Sequence, residues 1–551
     1  MKYLLIAGCS IIIFLIGYTR VETSPGHLDK EAYLKVIQKK RSTTISCTPD
    51  WATYHLSKTE ILQMIPLPGI GSHTWKISTK IDSAQFYFNQ AINLYYGFHI
   101  IESLPSFKKA QLFDPGCALL YWGEALAYGP NINDFGYAAS PDALVAVNKA
   151  KELMNTATPK EKGLVEAIAA HYSDDSTQQR RHLNELYADK MKALYTKYPN
   201  DAEIGALYVD ALMNLHPWDL WQHDGNPEPW TPQIQKLLEN ILKYAPDHPG
   251  GNHYYIHTME ASPYAYKAIA SADLLGRLAP GMAHMVHMPS HIYIRTGQYD
   301  KGVNVNKSAV ARYADYLSLY PEVANNAALY EIHNRHMLAA CLMNLSDYSS
   351  ALKGAIDCRY SFDTSLLSQA PPWGCYFQYV YMAPELTMVT FEKWNDIINQ
   401  PVVGTSFHYA TLIQQFARGM AYANTNEPGK AKSSLSKIEA MLHEEDLSVV
   451  PAPFSAPVTS GKIAKYILLG TIAEKENNSA ASLNYFKTAV ATEDSLVYNE
   501  PRDWLVPARH YLGNFLLKIK KKKEAQEVFR EDLKVQPRNY VSEIGLKNSL
   551  H

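Results

Sequence analysis

The stretches LLENILKYAP (237–246) and SADLLGRLAP (271–280) decide the fold, because each predicts an amphipathic helix that a proline brings to an end. Their closing prolines are 34 residues apart. From about Asp82 onward the chain predicts one helix after another with short breaks, and the alternation typical of strands is scarce. Three further segments end in the same way: SFKKAQLFDP (106–115), MKALYTKYP (191–199) and EVFREDLKVQP (527–537).

The connections between helices carry a second recurring feature. A tyrosine opens the second helix of a pair at Tyr299, with Ala309 behind it, and again at Tyr348, with Ala351 behind it. This arrangement resembles the tetratricopeptide repeat (TPR), a pair of helices with a period of about 34 residues. The resemblance implies an all-α fold, an α-solenoid of stacked helical hairpins. The first helices of successive pairs would then line a concave groove.

Longer segments resemble one group of exported bacterial TPR proteins of unassigned activity. The resemblance implies a homologous whole with a shared set of groove residues, and it supplies no reaction. One departure from the group's pattern is His99, which is displaced by one position. The matching stretches are LYYGF (94–98), YWGEALAYGPNIN (121–133), HPWDLW (216–221), GNHYYIHTMEASP (251–263), HMPSHIYIRTGQY (287–299) and YNEPRDWLVPARHYLG (498–513).

The net charge and the N-terminal residues limit which partners and which cellular location we expect. The 551 residues include 52 basic and 54 acidic ones, a net charge of −2, so we expect no nucleic-acid partner. Residues 1–20, a short basic start and an apolar run, predict a signal peptide or a membrane anchor. The protein is therefore expected to be exported: periplasmic, secreted, or tethered to the membrane and facing outside the cytoplasm. Residues 21–80 predict a leader or cap without repeats, and residues 81–545 the solenoid.

Seven of the 20 histidines fall between positions 253 and 336 and follow the register of the repeat. His253 and His287 are 34 residues apart, and so are His257 and His291. Within one helix, residues three or four positions apart share a face, so we expect these side chains to point the same way into the groove. The predicted metal ligands are His253, His257, Glu260, His284, His287, His291, His333 and His336.

Histidines on neighbouring helices can converge on one ion, because stacked helices lie roughly 8 to 10 Å apart. Neutral imidazole binds Zn, Cu or Fe, and a bound cation would remove the repulsion that protonated imidazoles feel. The sequence therefore predicts a transition-metal site. Pro289 is expected to kink or unwind the helix that carries three of these histidines. The alternative remains open that the histidines only make hydrogen bonds to a ligand or to neighbouring helices.

A second set of residues, mostly aromatic or polar, is predicted to bind a ligand at the groove. The structural alternatives are capping of the next helix for Trp122, Asn131 and Asn133, a tight aromatic turn that covers the core for Trp218 and Asp219, and an exposed surface position for Arg509. The predicted ligand-binding residues are Trp122, Asn131, Asn133, Trp218, Asp219, Trp504 and Arg509.

Two functions fit these features. The first is an exported binding scaffold whose histidine-lined groove takes a peptide, a protein segment or a small molecule. The alternative is a metal-dependent enzyme, an oxidoreductase or a hydrolase, that uses the cluster of His253, His257, His287 and His291. The sequence contains no H-E-x-x-H, G-x-S-x-G, Walker or dinucleotide-binding motif, so it does not assign a reaction.

Overall fold

The computed structural model describes the chain from residue 56 to residue 550, with short gaps. The described part is helical, apart from one isolated β-bridge between Trp221 and Pro227. None of the described helices has the length and apolarity that crossing a bilayer requires. The predicted signal peptide or anchor and most of the leader lie outside the described residues. The residues outside the description are 1–55, 57, 135–136, 320–327, 452–453 and 551.

The described helices follow one another through short connections. The first are α1 (Lys58–Gln63), α2 (Asp82–Tyr96), α3 (Ile100–Phe113), α4 (Ala118–Ala127), α5 (Pro141–Glu152), α6 (Pro159–Ala169), α7 (Arg180–Lys197), α8 (Ala202–Leu215), α9 (Thr231–Tyr244), α10 (Pro249–Met259), α11 (Ile269–Leu278), α12 (Ala283–His287) and α13 (Pro289–Arg295). They continue with α14 (Tyr299–Leu319), α15 (Ala328–Met343), α16 (Tyr348–Arg359), α17 (Trp373–Tyr381), α18 (Ala383–Thr390), α19 (Trp394–Ile398), α20 (His408–Asn424), α21 (Pro428–Met441), α22 (Pro457–Lys475), α23 (Ser479–Glu493), α24 (Ala508–Lys518), α25 (Lys522–Val535) and α26 (Tyr540–Leu550).

Prolines end the helices as the sequence predicts. Helices α3, α7, α9, α11 and α25 each stop two residues before a proline. Proline disfavours the helical conformation in the residue before it, so the chain turns out of the helix there. Asp114 and Ala245, for example, have ψ angles of 81° and 73°.

Consecutive helices pack as hairpins, and successive hairpins stack. The pairs α2–α3, α20–α21 and α22–α23 are among those in closest contact. Small residues allow this approach: a Cβ on Gly470 of α22 would lie 2.5 Å from the ring of Phe486 on α23. The apolar faces form a continuous buried core along each stack. The fold is therefore an all-α solenoid of helical hairpins of the TPR type, and the predicted fold class is confirmed.

The described end of the leader lies along α2 in an extended form. The backbone N–H groups of Leu67 and Trp75 donate to the side chains of Gln90 and Asn89, at 2.9 and 3.2 Å. The ring of Trp75 packs edge-on against Phe88. Through these contacts, the end of the leader, which has no repeat, covers one face of α2.

The connection between α23 and α24 returns to the middle of the solenoid. Its residue Arg502 accepts a hydrogen bond at the backbone oxygen from the Tyr379 hydroxyl, at 3.4 Å, and the Asp503 oxygen accepts one from Ser460, at 2.9 Å. Glu500 from the same connection reaches His291, where their side-chain atoms are 2.8 Å apart. This connection therefore forms one wall of a cavity on the concave side.

Candidate metal centre

Four helical segments supply the histidines. His253 and His257 lie on α10, His284 and His287 on α12, and His291 on α13. The helix is interrupted between α12 and α13 at Met288, in agreement with the kink expected from the following proline. Met288 keeps helical angles (φ −49°, ψ −36°), so the side chains on either side of it still share one face. His333 and His336 come from α15.

The first triad consists of His253, His257 and His284, and their Nε2 atoms converge. The Nε2 of His253 lies 3.1 Å from the Nε2 of His257 and 3.1 Å from the Nε2 of His284. All three side chains are buried. The ring of Phe98 covers the triad, with its centroid 4.6 Å from that of His253 and 5.7 Å from each of the other two. The Phe98 ring shields the nitrogens from water on its own side of the triad.

The second triad consists of His287, His291 and His333. The Nε2 of His291 lies 2.9 Å from the Nε2 of His287 and 3.4 Å from the Nε2 of His333. The two triads are adjacent, because the ring centroids of His257 and His291 are 6.2 Å apart, as are those of His284 and His287. The histidines of successive repeats thus come together in the structure, as two groups of three.

In each triad one imidazole is fixed by a neutral acceptor at its other nitrogen. The Nδ1 of His253 lies 2.6 Å from the backbone oxygen of Tyr96, which can only accept. The Nδ1 of His287 lies 2.6 Å from the Oδ1 of Asn306, whose amide nitrogen donates to the Gly302 oxygen. Both Nδ1 atoms therefore carry the proton, and both Nε2 atoms present a lone pair to their triad.

The carboxylate of Glu260 contacts one histidine of each triad, at the Nδ1 atom and not at the converging Nε2 atom. Its Oε1 lies 3.0 Å from the Nδ1 of His257, and its Oε2 lies 2.7 Å from the Nδ1 of His291. The Oε2 of Glu500 approaches the same His291 nitrogen at 2.8 Å, while the Tyr498 hydroxyl donates to the other oxygen of Glu500. Glu260, predicted as a ligand, is placed where it orients one imidazole of each triad. Carboxylates of this kind typically support metal-bound histidines.

The contact between His253 and His257 is the most informative distance in the site. Both imidazoles donate from Nδ1, so two Nε2 lone pairs face each other at 3.1 Å. When both imidazoles are neutral, such an arrangement is repulsive unless a cation lies between the nitrogens. Two ligands bound about 2.0 to 2.1 Å from one ion are about 2.9 Å apart at a right angle and about 3.4 Å apart at the tetrahedral angle. The two separations from the His253 nitrogen and the two from the His291 nitrogen, 2.9 to 3.4 Å, lie in this range.

The protonation equilibria keep most of the cluster neutral. Burial, reinforced by neighbouring imidazoles, lowers the pKa values of His253, His284, His287 and His333 well below the usual range for histidine. Neutral imidazole is the form that binds a metal.

His291 differs because two carboxylates face it. Burial alone would lower the pKa of His291, but Glu260 and Glu500 raise it to about 10. Burial would raise the pKa of Glu260, but the two histidines beside it hold that pKa at about 2, whereas burial raises the pKa of Glu500. A proton on His291 can satisfy its contact with His287. It cannot relieve the facing lone pairs of the first triad.

A cavity of about 440 Å³ opens beside both triads. His336, predicted as a ligand, lines this cavity and is not brought into either triad. Of the predicted ligand-binding residues, Asn133 and Trp218 line it as well, and the Trp218 indole donates to the Asn133 Oδ1 at 3.0 Å. Trp218 has a φ angle of 59°, a conformation that costs a non-glycine residue energy and is often found at functional sites.

The other predicted tryptophans lie in the core, away from the cavity. Trp122 is fully buried and packs edge-on against Trp75, with ring centroids 5.6 Å apart. Trp504 is fully buried and packs against Phe416, with ring centroids 5.2 Å apart. Their large apolar rings stabilise the packing between helices.

The remaining predicted polar residues also lie outside the cavity. The Arg509 guanidinium makes two contacts with the carboxylate of Asp494, at 2.6 and 2.7 Å. The Asn131 side chain accepts from the backbone N–H of Asn133, at 2.9 Å, and shapes the local turn. Asp219 is exposed, and its backbone oxygen accepts from a nearby indole. These side chains position the chain around the site without facing the cavity.

Several contributors to the centre, Tyr96 and Glu500 among them, were not among the predicted site residues. Tyr96 contributes only a backbone oxygen, so its side chain gives no signal in the sequence. Glu500 lies 240 positions after Glu260, in the last part of the solenoid, and no repeat register links the two carboxylates. The combination of a carboxylate, a tryptophan and an arginine in the 498–513 segment indicates a ligand, but not a histidine partner.

A separate polar group near α2 is explained without a metal. The Glu203 carboxylate accepts from the Tyr96 hydroxyl at 2.6 Å and lies 2.6 Å from the His73 Nε2. The backbone N–H of Gly251 donates to the His248 Nδ1, so the His248 Nε2 carries a proton and faces Glu203 at 3.4 Å. Donors therefore surround the carboxylate, and no lone pairs face one another.

Comparisons with known proteins find similar folds only. No protein-family model and no curated protein matches the sequence. Among solved structures, the chain is similar to yeast Tom70 (10% identity, 85% of this chain and 89% of that chain, TM-score 0.27). It is also similar to human IFIT1 in a dimer with PPP-AAAA (11%, 93% and 99%, TM-score 0.30) and to the TPR domain of P58(IPK) (11%, 85% and 97%, TM-score 0.20).

Proposed function

We propose that the protein is a metal-dependent enzyme, an oxidoreductase or a hydrolase, in which each histidine triad binds one transition-metal ion. The observation that carries the proposal is the pair of Nε2 lone pairs that face each other at 3.1 Å in a buried site. Phe98 covers one side of the triad, and in the neutral imidazoles the protons at Nδ1 leave no hydrogen bond to explain the contact. A cation is the group that these nitrogens fit.

The surroundings of the triads favour catalysis over a purely structural role. Structural zinc sites usually have four protein ligands, whereas three protein ligands leave a position for water or substrate. The adjoining cavity of about 440 Å³ has the size of a small-molecule site. Bound metal ions would supply Lewis acidity or redox chemistry there. The chain itself orients the imidazoles through Glu260 and Asn306.

Elemental analysis of the purified full chain tests this proposal. We expect about two ions of Zn, Cu or Fe per chain, because the structure contains two triads. His284→Ala and His333→Ala each remove one ligand from one triad and are expected to lower the content by about one ion. The matched control is His443→Ala, because His443 is exposed and outside the cluster. A metal-free chain, or unchanged metal in both triad variants, would overturn the proposal, provided that circular dichroism shows a folded protein.

The fold itself favours a second candidate function, the binding of a peptide or protein segment. Stacked helical hairpins create concave surfaces that hold extended or helical segments. Such binding is expected to persist after chelation of the metal, whereas turnover of a small molecule is not. Chelation therefore separates the two functions.

Export remains part of the proposal, with a membrane tether through the N terminus as the alternative to a cleaved signal. It rests on the apolar sequence at residues 1–20. Recovery of the protein from the periplasmic, extracellular or membrane fraction would support it, and recovery from the cytoplasm would contradict it. The expected lack of nucleic-acid binding also stays a prediction, based on the net charge of −2.

A further inference from the structure

The walls of the cavity beside the triads are largely aromatic. Pairs of rings are ordered against each other: Tyr379 stacks on Tyr409 with centroids 5.6 Å apart, and Trp218 meets Phe454 edge-on at 5.7 Å. Such walls favour a planar aromatic guest, because ring–ring contacts add to the burial of apolar area. The aromatic residues that line the cavity are Trp218, Tyr330, Trp373, Tyr376, Tyr379, Tyr409 and Phe454.

The charge of the lining limits the guest further. Among the described residues that line the cavity there is no lysine or arginine, while Glu500 and Asp503 contribute carboxyl groups. Burial raises the pKa of Asp503 to about 6. A carboxylate or phosphate guest would meet two acidic side chains and, in this described lining, no lysine or arginine, and the imidazole of His291 is already paired with Glu260 and Glu500. An uncharged guest avoids this repulsion.

The ring nitrogens of His336 can make hydrogen bonds that the protein itself does not supply. Its side chain is only 2% exposed, and among the described residues neither ring nitrogen has a hydrogen-bond partner. Its ring packs edge-on against Tyr379, with centroids 5.7 Å apart. A buried polar group without a partner costs free energy, so its presence calls for a ligand. Since His336 belongs to neither triad, that ligand is the guest of the cavity.

We propose that the cavity binds an uncharged aromatic molecule that carries a hydroxyl group, with the ring against the aromatic walls and the hydroxyl hydrogen-bonded to His336. The inference rests on the proposed function in one respect, that this guest is the substrate of the metal centre. The recognition itself uses only the ring walls and His336, so it is expected in the metal-free protein too.

Calorimetric titration of the full chain with three probes tests the proposal. Phenol represents the uncharged hydroxylated ring, benzoate the anion and benzylamine the cation. We expect phenol to bind at least tenfold more tightly than either ion in the metal-free protein after chelation, where no bound cation attracts benzoate. His336→Leu is expected to weaken phenol binding about tenfold, since a hydrogen bond to a buried group contributes about 1.4 kcal/mol at that ratio. His336→Gln, which keeps a hydrogen-bonding group, is expected to restore most of the affinity.

The outcomes distinguish the two proposals. Tighter binding of benzoate or benzylamine, no binding of phenol, or unchanged binding in a folded His336→Leu variant would overturn the inference. Metal content, measured on the same samples, reports separately on the proposed function. A metal-free chain that binds phenol through His336 supports the inference and refutes the metal centre. A chain that contains two metal ions and does not bind phenol supports the metal centre and refutes the inference.

Discussion

At the scale of single residues, Glu260 holds one imidazole of each triad. Glu260→Ala removes both oxygens, so His257 loses its acceptor and His291 keeps only Glu500. Loss of such a support typically weakens metal affinity 10- to 100-fold. Competition with a chelator, followed by elemental analysis, measures the change.

Asn306 provides the comparison for Glu260, because it supports His287 alone. Asn306→Ala is expected to weaken one ion and leave the other at its original affinity, whereas Glu260→Ala is expected to weaken the ions of both triads, because His257 and His291 each lose a carboxylate oxygen. Identical behaviour of the two variants would mean that Glu260 does not connect the triads.

A second residue-scale prediction concerns pH and Asp210, which is buried away from the triads. Burial raises the pKa of Asp210 to about 7, although the Tyr95 hydroxyl donates to it at 2.8 Å. The folded protein therefore binds this proton more tightly than the unfolded chain, whose aspartate has a pKa of about 3.9. The contribution to stability is complete below about pH 4 and is lost as the pH rises to about 7, up to about 4 kcal/mol.

Asp210→Asn is expected to remove this loss. The melting temperature of the native chain relative to the variant should fall between pH 5 and pH 8. The exposed Asp247→Asn serves as the control and is expected to leave the pH profile unchanged. If Asp210→Asn melts with the same pH dependence as the native protein, Asp210 is not the group that titrates.

At the scale of helices, two glycines test the packing of the hairpins. A Cβ on Gly470 would lie 2.5 Å from the Phe486 ring, so Gly470→Ala is expected to destabilise the fold by about 1 to 3 kcal/mol through overpacking. Gly429, in helix α21, has no atom within 4 Å of the same position, and Gly429→Ala is expected to stabilise by about 0.5 to 1 kcal/mol. Thermal melting of the two variants measures the difference, and equal shifts would contradict the open space around Gly429.

The helices were predictable from the sequence because their signals are local. A proline that ends a helix acts through the residue before it, and the 34-residue step between His253 and His287 places two side chains in equivalent positions. The division into two triads was not predictable in the same way. It depends on ring orientations, which are set by distant acceptors such as the Tyr96 oxygen and Glu500. His336 follows the same register as the ligands and nevertheless faces the cavity.

At the scale of the whole molecule, the triads join helices from three successive parts of the solenoid. A metal ion bound only by the folded protein stabilises it by RT ln(1 + [L]/Kd), about 2.7 kcal/mol when the free ion exceeds its Kd 100-fold. We therefore expect chelation to lower the melting temperature. Hydrogen exchange should increase first in α10, α12, α13 and α15, which carry the ligands.

Helix α21 serves as the internal reference for this experiment, because it carries no triad residue and packs against α20 and α22. In a solenoid each hairpin contacts mainly its neighbours, so the loss of ligands in one region leaves distant hairpins largely protected. The α23–α24 connection is distant in sequence but contacts the centre, since Glu500 lies against His291. Faster exchange in this connection after chelation would show that the metal centre also holds the cavity wall in place. Uniform faster exchange along the chain would instead indicate global unfolding and contradict a local role for the ions.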